Sequence, residues 1–263
     1  MTCSPNNPFE SALPGLRDGD TIFRLQPQLE KDFAAAGLVD FEACWNLPAD
    51  YVDEVNQRRG GWSAVTRLSV TTDQGTRIFF IKRQENQLRR SPAHPLGILT
   101  YQFELEAIQT NLSLGLPAVE VAGIGLQRAG KKRRGILITE QLPAQSLTEI
   151  SSQRPDWKQL MPLLEKAGSL LCDMHLHKIS HGAFYPNHLY LNPTSGQVFL
   201  IDFERSRRCL TAASAVRRDL YQFLKRASVM PVSALEQLLA SHRRQFPKLT
   251  EQLVNHYHAN RTV

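Results

Sequence analysis

The spacing of apolar positions changes along the chain, and each change predicts a different element. Residues 28–51 place Phe33, Leu38, Phe41, Cys44 and Trp45 at helical intervals, which predicts short helical pieces. Residues 63–71 are rich in Val, Thr, Ser and Leu, Asp73-Gln74-Gly75 is a turn signal, and residues 77–82 are β-branched and aromatic. That pattern predicts a β-hairpin. Residues 89–97 carry two prolines and are expected to form a loop. Tyr101, Leu105, Ile108 and Leu112 then recur at helical spacing over residues 100–111. Two short apolar runs, 119–126 and 135–140, flank the basic stretch 128–134 and predict a second hairpin.

From there the pattern turns helical. Pro155 fits the first turn of a long helix whose apolar face carries Trp157, Leu160, Met161, Leu164, Ala167, Leu171 and Met174. Two short strands follow, around Leu189-Tyr-Leu191 and Val198-Phe-Leu-Ile201, joined by the turn Asn192-Pro-Thr-Ser-Gly196. Asp202 ends the second. Helices resume at about 216–226 and 232–244. A helical N-terminal extension (1–57), a sheet-rich lobe with one helix (58–141) and a helix-rich lobe (142–263) are expected, with a tether near 141–143 and a cleft where the lobes meet. Residues 1–20, rich in Pro, Asn, Gly and Asp, are expected to be loose.

Composition narrows the class. Apolar residues are 42% and charged residues 21% of 263, ordinary globular usage that excludes a disordered or collagen-like chain. The longest apolar stretch, 112–126, is broken by Pro117, Glu120 and glycines, so no spanning helix is expected. The first residues lack a basic segment followed by an apolar run and do not form a secretory signal. Cys3, Cys44, Cys172 and Cys209 form no Cys-x-x-Cys pair, which argues against a disulfide framework or a zinc ribbon. These features predict a soluble cytoplasmic protein. The net charge is +6 and the excess is clumped, at Arg89-Arg90, residues 131–134, Arg205/Arg207/Arg208, Arg217-Arg218 and Arg243-Arg244. Such clumps suit a phosphosugar, an anionic membrane face or nucleic acid. No helix–turn–helix, RNA-binding aromatic strand or zinc finger accompanies them, so no nucleic-acid partner is expected.

The order of chemical residues is more informative than any one of them. Gly60-Gly61-Trp62-Ser63 precedes a strand and could bring backbone N–H groups close to phosphates, although an ordinary turn explains it as well. Lys82 ends the next strand and shares a face with Phe80, an expensive place for an amine without a partner or an anion. On the following helix Glu104 lies at the edge of the Tyr101/Leu105/Ile108 stripe whereas Glu106 points away, so Glu104 is the expected partner. Farther on, His175, His177, His181 and His188 precede Asp202, an acid placed to hold Mg²⁺. No His-Glu-x-x-His or companion cysteine makes the histidines a zinc set.

With those residues in view, the chain resembles the lipopolysaccharide kinase (Kdo/WaaP/InaA-like) family, and within it the acid-inducible InaA-type members. The resemblance rests on Asn56-Gln-Arg-Arg-Gly-Gly-Trp-Ser63, Phe79-Phe-Ile-Lys-Arg-Gln84, Phe103-Glu-Leu-Glu-Ala-Ile108, His181-Gly-Ala-Phe-Tyr-Pro-Asn-His188 and Ile201-Asp-Phe203. It implies an α+β, bilobal protein-kinase-like fold and a kinase using ATP and Mg²⁺ on a sugar hydroxyl of a glycolipid, with contact at the inner face of the inner membrane. It would make Lys82 the clamp on the α/β-phosphates, Glu104 its ion-pair partner, and Gly60, Gly61 and Ser63 part of the nucleotide loop. Glu140 and Leu142 would flank adenine. Asp202 would hold the metal, with His188 in the place of a second ligand and His181 in the catalytic loop. Asp219 would brace that loop. One departure stands out: the position of the general base is Ala183, and Glu204 replaces the glycine of Asp-Phe-Gly. Losing a general base typically costs ~10²–10⁴ in rate. Phosphoryl transfer depends mostly on positioning and electrostatics, however, so that loss is serious without being proof of inactivity. Tyr185, Glu204 and His181 remain open as substitutes. Two outcomes follow: an active kinase, or a pseudokinase serving an envelope or acid stress response.

Overall fold

The computed structural model describes residues 9, 16–48, 50–52, 54–58, 60–73, 75–91 and 94–259. Two compact units are present, one of Met1–Glu106 with Glu120–Gln141, the other of Ala107–Val119 with Leu142–Val263. Cys3 and Gln74 lie outside the described residues, as does most of the stretch expected to be loose.

The first unit holds, in chain order, β1 (Thr21–Leu25), α1 (Glu30–Ala35), α2 (Phe41–Trp45), β2 (Asn56–Arg58), β3 (Gly61–Thr72), β4 (Gly75–Glu85), β5 (Leu88–Ser91), β6 (His94–Leu99), the first half of α3 (Thr100–Ser113), β7 (Val121–Ala129) and β8 (Lys132–Glu140). Six strands form one antiparallel sheet in the order β1-β7-β8-β4-β3-β2. Period-two alternation along β4 decides what each face does. Phe79, Ile81 and Arg83 are buried on one face, against a core that includes Leu29, Phe33, Phe41 and Trp45. Phe33 meets Phe79 edge-on at 5.0 Å. Arg83 donates to the carbonyls of Trp45 (2.6 Å) and Leu47 (2.8 Å), so its guanidinium caps the C-terminal end of α2. Lys82 and Gln84 point to the other face, where α3 begins.

Three expectations change here. The segment before residue 57 is not wholly helical, because β1 joins the sheet edge beside β7. Residues 89–91 and 94–97 belong to two paired antiparallel strands, β5 and β6, rather than a loop. Pro95 is tolerated because a two-stranded ladder leaves outward-facing positions that need no N–H. The basic turn 128–134 shrinks to Gly130-Lys131, because Arg133 and Arg134 are strand residues with partners. Arg133 donates to Gly97 O (2.7 Å), while Arg134 pairs with Glu85 (2.9 Å) and lies over the Trp45 ring.

The second unit contains β9 (Gln145–Ser146), α4 (Leu147–Ser152), α5 (Trp157–Leu176), β10 (Ile179–Ser180), β11 (Leu189–Asn192), β12 (Gln197–Leu200), β13 (Arg207–Arg208), α6 (Ala212–Leu224), α7 (Val232–Gln245) and α8 (Pro247–Ala259). Pro155 lies just before α5 rather than in its first turn: Asp156 is the N-cap, its carboxylate accepting from Lys158 N. The apolar stripe of α5 is buried at Leu160, Leu164, Ala167, Leu171 and Met174. β12, β11 and β9 make a small antiparallel sheet, and β10 pairs with β13. α6 starts four residues earlier than its apolar pattern suggests, because Thr211 and Ser214 form a capping box.

Candidate active site

The candidate residues lie in both units and are described unit by unit. In the first, Lys82 Nζ donates to Glu104 Oε2 at 2.6 Å, with side-chain exposures of only 18% and 8%. Glu106 is exposed, as the helical-face argument requires. The reason the pair meets lies two residues along β4. Gln84 is fully buried, and its Oε1 accepts from Tyr101 N (2.9 Å) and Thr100 Oγ1 (3.0 Å). Two strand residues span ~6.7 Å and four helical residues ~6 Å, so fixing Thr100 on Gln84 places Glu104 over Lys82. Tyr101 Oη also donates to Gly125 O (2.8 Å), locking the helix start to β7.

The glycine turn has two distinct halves. Gly60 is left-handed (φ 76°) with open space around it. A Cβ on Gly61 would sit 2.1 Å from Glu85 O, so glycine there serves the close approach of β3 to the end of β4. Ser63 is buried and accepts from Gln84 Nε2 (3.4 Å), which turns its hydroxyl inward. Glu140 makes a two-pronged ion pair with Arg77 (2.7 and 2.6 Å). Leu142 is the first residue of the second unit after the tether and is half-buried.

In the second unit, Asp219 on α6 organises the loop after β10. Its Oδ2 accepts from His181 N (2.6 Å) and its Oδ1 from Gly182 N (2.8 Å). Gly182 is left-handed, and a Cβ there would lie 2.2 Å from Arg205 O. His175 Nε2 also donates to Asp219 Oδ2 (3.0 Å), and His175 Nδ1 meets His242 Nε2 (2.9 Å). A carboxylate only accepts, so His175 carries its proton on Nε2. In that tautomer His175 Nδ1 accepts a hydrogen bond from His242 Nε2. His242 Nδ1 is then buried with no partner, and burial holds its pKa down to about 3.

His181 is wholly buried, and both its ring nitrogens are engaged. Nε2 donates to Ile201 O (3.0 Å) and Nδ1 accepts from Ala183 N (3.3 Å). Burial lowers its pKa, so the ring stays neutral and has no lone pair to offer a substrate. Ala183 is itself buried. Its carbonyl accepts from His188 Nδ1 (2.8 Å), which leaves His188 Nε2 facing Asp202 Oδ2 at 3.7 Å. Asp202 is left-handed (φ 64°, ψ 62°), an uncommon conformation for a non-glycine residue that costs about 1–3 kcal/mol and tends to mark functional positions. Phe203 fixes the turn, buried with its ring 4.7 Å from His181.

No group of three or more His, Cys, Asp or Glu among the described residues is arranged around a metal. Asp202, with a side chain 39% exposed, nevertheless fits a hard cation that takes its other ligands from phosphate and water. The His188 imidazole suits Mg²⁺ poorly. Cys44 and Cys172 are buried, with thiols pushed up to about 12 and about 11, so neither is a nucleophile. A hollow of about 220 Å³ lined by Leu160, Leu163, Lys166 and Pro193 touches none of the candidate residues.

The model of the lipopolysaccharide kinase (Kdo/WaaP) family matches residues 42–255, most of the chain. The chain belongs to that family. It is 25% identical over 207 residues to protein InaA of Escherichia coli (strain K12), covering 76% of this chain and 94% of that protein. A solved structure of WaaP in complex with acyl carrier protein superposes with a TM-score of 0.61 at 18% identity, covering 90% of this chain and 98% of the other. The protein therefore has a protein-kinase-like fold. In this Kdo/WaaP family member, three positioning residues escaped the reading of the sequence: Gln84, His175 and His242. Gln84 was legible in principle, since a polar residue on the same face as Lys82 must bond to whatever covers that face. His242 lies on an amphipathic helix, and nothing in its local pattern points to His175.

Proposed function

We propose that this family member is an ATP-dependent phosphotransferase acting on a sugar hydroxyl of the lipopolysaccharide core. The observation that carries the reading is the 2.6 Å Lys82–Glu104 pair, a half-buried amine held by a helix acid on the sheet face that α3 covers. In this reading Lys82 takes the α/β-phosphates, Gly60 and the backbone around it lie along the nucleotide, and the chain at Glu140 and Leu142 receives adenine. Asp202 would hold Mg²⁺, which supplies charge neutralisation on the phosphates. His188 contributes Nε2 toward a phosphate oxygen rather than to the metal. His181 positions the loop by bridging it to Ile201, and Asp219 holds the loop's backbone.

The test is ADP release from Mg-ATP with delipidated core oligosaccharide. Turnover by the wild type that is lost in Lys82→Met supports the reading. Absence of turnover, with Lys82→Met behaving identically, removes it. A thermal-shift titration with ATP on wild type and Asp202→Ala, with and without Mg²⁺, separates binding from chemistry.

A second reading, a pseudokinase in an envelope or acid stress response, is favoured by the buried Ala183 where the general base would stand. Ala183→Asp discriminates the two. A gain from nothing to measurable turnover identifies a weakened relative, whereas loss of existing turnover shows that the chemistry runs without that base.

A further inference from the structure

α6 offers the loop between β10 and β11 more than Asp219. Asp219, Phe223 and Arg226 recur at the i, i+4, i+7 spacing of one helical face, with Arg226 just past the end of the helix. Each meets a successive part of the loop. Asp219 holds the N–H groups of His181 and Gly182. Phe223 stacks on Phe184, with 4.7 Å between ring centroids and 20° between planes. Arg226 lies over the ring of Tyr185, its guanidinium carbon 4.0 Å from the centroid.

The last of these contacts leads to Asp202. Tyr185 O accepts from His188 N (3.0 Å), and the buried Pro186 fixes φ in the tight turn between them. The Tyr185 and His188 rings lie 5.1 Å apart at 42°. One hydrogen bond alone would let an imidazole swing about the axis of that bond, and a ring packed beside it removes the freedom. His188 has both: its Nδ1 donates to Ala183 O (2.8 Å), Tyr185 flanks its ring, and its Nε2 faces Asp202 Oδ2 at 3.7 Å.

Arg226 is itself held. Its Nη1 donates to Gln222 O (3.1 Å) and Gln222 Oε1 (3.3 Å), which keeps the guanidinium over Tyr185. A cation at a helix C-terminus is favoured by the helix dipole alone. Lys225, with Nζ 4.2 Å from the ring of Tyr221 on α6 itself, needs no other reason. Arg226 differs, because the ring beneath it belongs to the loop that carries His188.

We propose that Tyr185 and Arg226 are positioning residues that fix the direction of the His188 imidazole, Arg226 pinning the Tyr185 ring and that ring bracing His188. The Tyr185 ring does this and its hydroxyl takes no part, so Tyr185 is not the stand-in for the base missing at Ala183. What His188 does once positioned rests on the kinase reading; the bracing stands on the contacts.

The experiment takes two readings on the full chain. The first is the His188 Nδ1–H resonance of ¹⁵N-histidine-labelled protein without nucleotide, identified by its loss in His188→Gln. Tyr185→Leu and Arg226→Gln should shift or broaden it. Tyr185→Phe should keep it at the wild-type position, and Arg226→Lys, which retains a cation for the ring, should fall between. Lys225→Gln should leave it unmoved. The second reading is ADP release from Mg-ATP with delipidated core oligosaccharide. A displacement of about 1 Å can cost about 10²-fold, so kcat should fall at least about tenfold in Tyr185→Leu and Arg226→Gln. KM for ATP should stay near the wild-type value, and Tyr185→Phe should recover most of the turnover that Tyr185→Leu loses. A resonance unmoved in both Tyr185→Leu and Arg226→Gln overturns the bracing, as does an equal shift in Lys225→Gln. Turnover lost alike in Tyr185→Phe and Tyr185→Leu assigns the work to the hydroxyl and also overturns it. Arg226 is exposed, so its two variants carry the test if the half-buried Tyr185 cannot be replaced by Leu without unfolding. A wild type without turnover loses the kinase reading, and the resonance alone then decides the bracing.

Discussion

Removing one member of the Lys82–Glu104 pair leaves the other charge poorly solvated, and the consequence can be measured. A buried pair broken at one partner commonly costs several kcal/mol, and the residual exposure of Lys82 brings the expectation to about 2–4 kcal/mol for Glu104→Gln. Urea denaturation of Glu104→Gln, Lys82→Met and the double variant tests this. The double variant should be less destabilised than the sum of the singles, because it leaves no orphaned charge. Strictly additive losses would show that the 2.6 Å contact is not an energetic coupling. At the same scale, His181 illustrates how a residue of catalytic type becomes structural. Both nitrogens are consumed by backbone groups on either side of it, so its contribution is to hold the loop against the end of β12.

Elements translate these contacts into position. The Gln84–Thr100 anchor sets the register of α3 against β4, so Gln84→Leu should strip Tyr101 N of its acceptor, leave Thr100 Oγ1 only Gln87 Oε1 (3.1 Å), and let α3 shift. The expected cost is about 1–3 kcal/mol in stability, the desolvation of a buried donor left unpaired. ATP affinity should weaken with it although Gln84 is not assigned to the nucleotide, and Gln84→Glu, which keeps the acceptor oxygen, should recover part of both. An ATP affinity unchanged in Gln84→Leu would separate the register from the Lys82 site. Gly182→Ala is the harsher change: its Cβ would overlap Arg205 O at 2.2 Å in a left-handed backbone, so the loop must move. Thermal unfolding should drop by several degrees, and His188 should lose its bond to Ala183 O, visible as a shifted imidazole resonance.

These elements also show what the sequence made legible. The β3–β4 hairpin, α3, α5 and the choice of Glu104 over Glu106 follow from alternation and helical period, because one-sided burial writes itself into local spacing. β5–β6, β1 and α8 were not legible: prolines masked the first, the second is an edge strand without clear alternation, and the third follows α7 directly. The His181 clamp and the His175–His242 contact join residues 20 and 67 positions apart, beyond the reach of any local pattern.

For the molecule as a whole, the buried histidines set a direction for stability against pH. His181 and His242 both have pKa values lowered by burial from 6.5, His242 to about 3. In the unfolded chain each binds a proton as pH falls through about 6.5, whereas in the folded chain His242 stays neutral until about pH 3. The unfolded state therefore holds more protons across that window. The stability these rings contribute is present above 6.5 and is lost progressively as acid is added. One such histidine contributes a slope of up to about 1.4 kcal/mol per pH unit. His242→Gln keeps a side-chain N–H to offer His175 Nδ1 but cannot titrate. Denaturation curves at pH 7.5, 6.5, 5.5 and 4.5 should therefore show a shallower acid slope for His242→Gln than for wild type, by about one histidine's worth. The two proteins should converge as the pH falls, even if the variant is less stable at 7.5. Parallel slopes would mean that the 2.9 Å His175–His242 contact already shares a proton in the folded chain, with Asp219 balancing its charge.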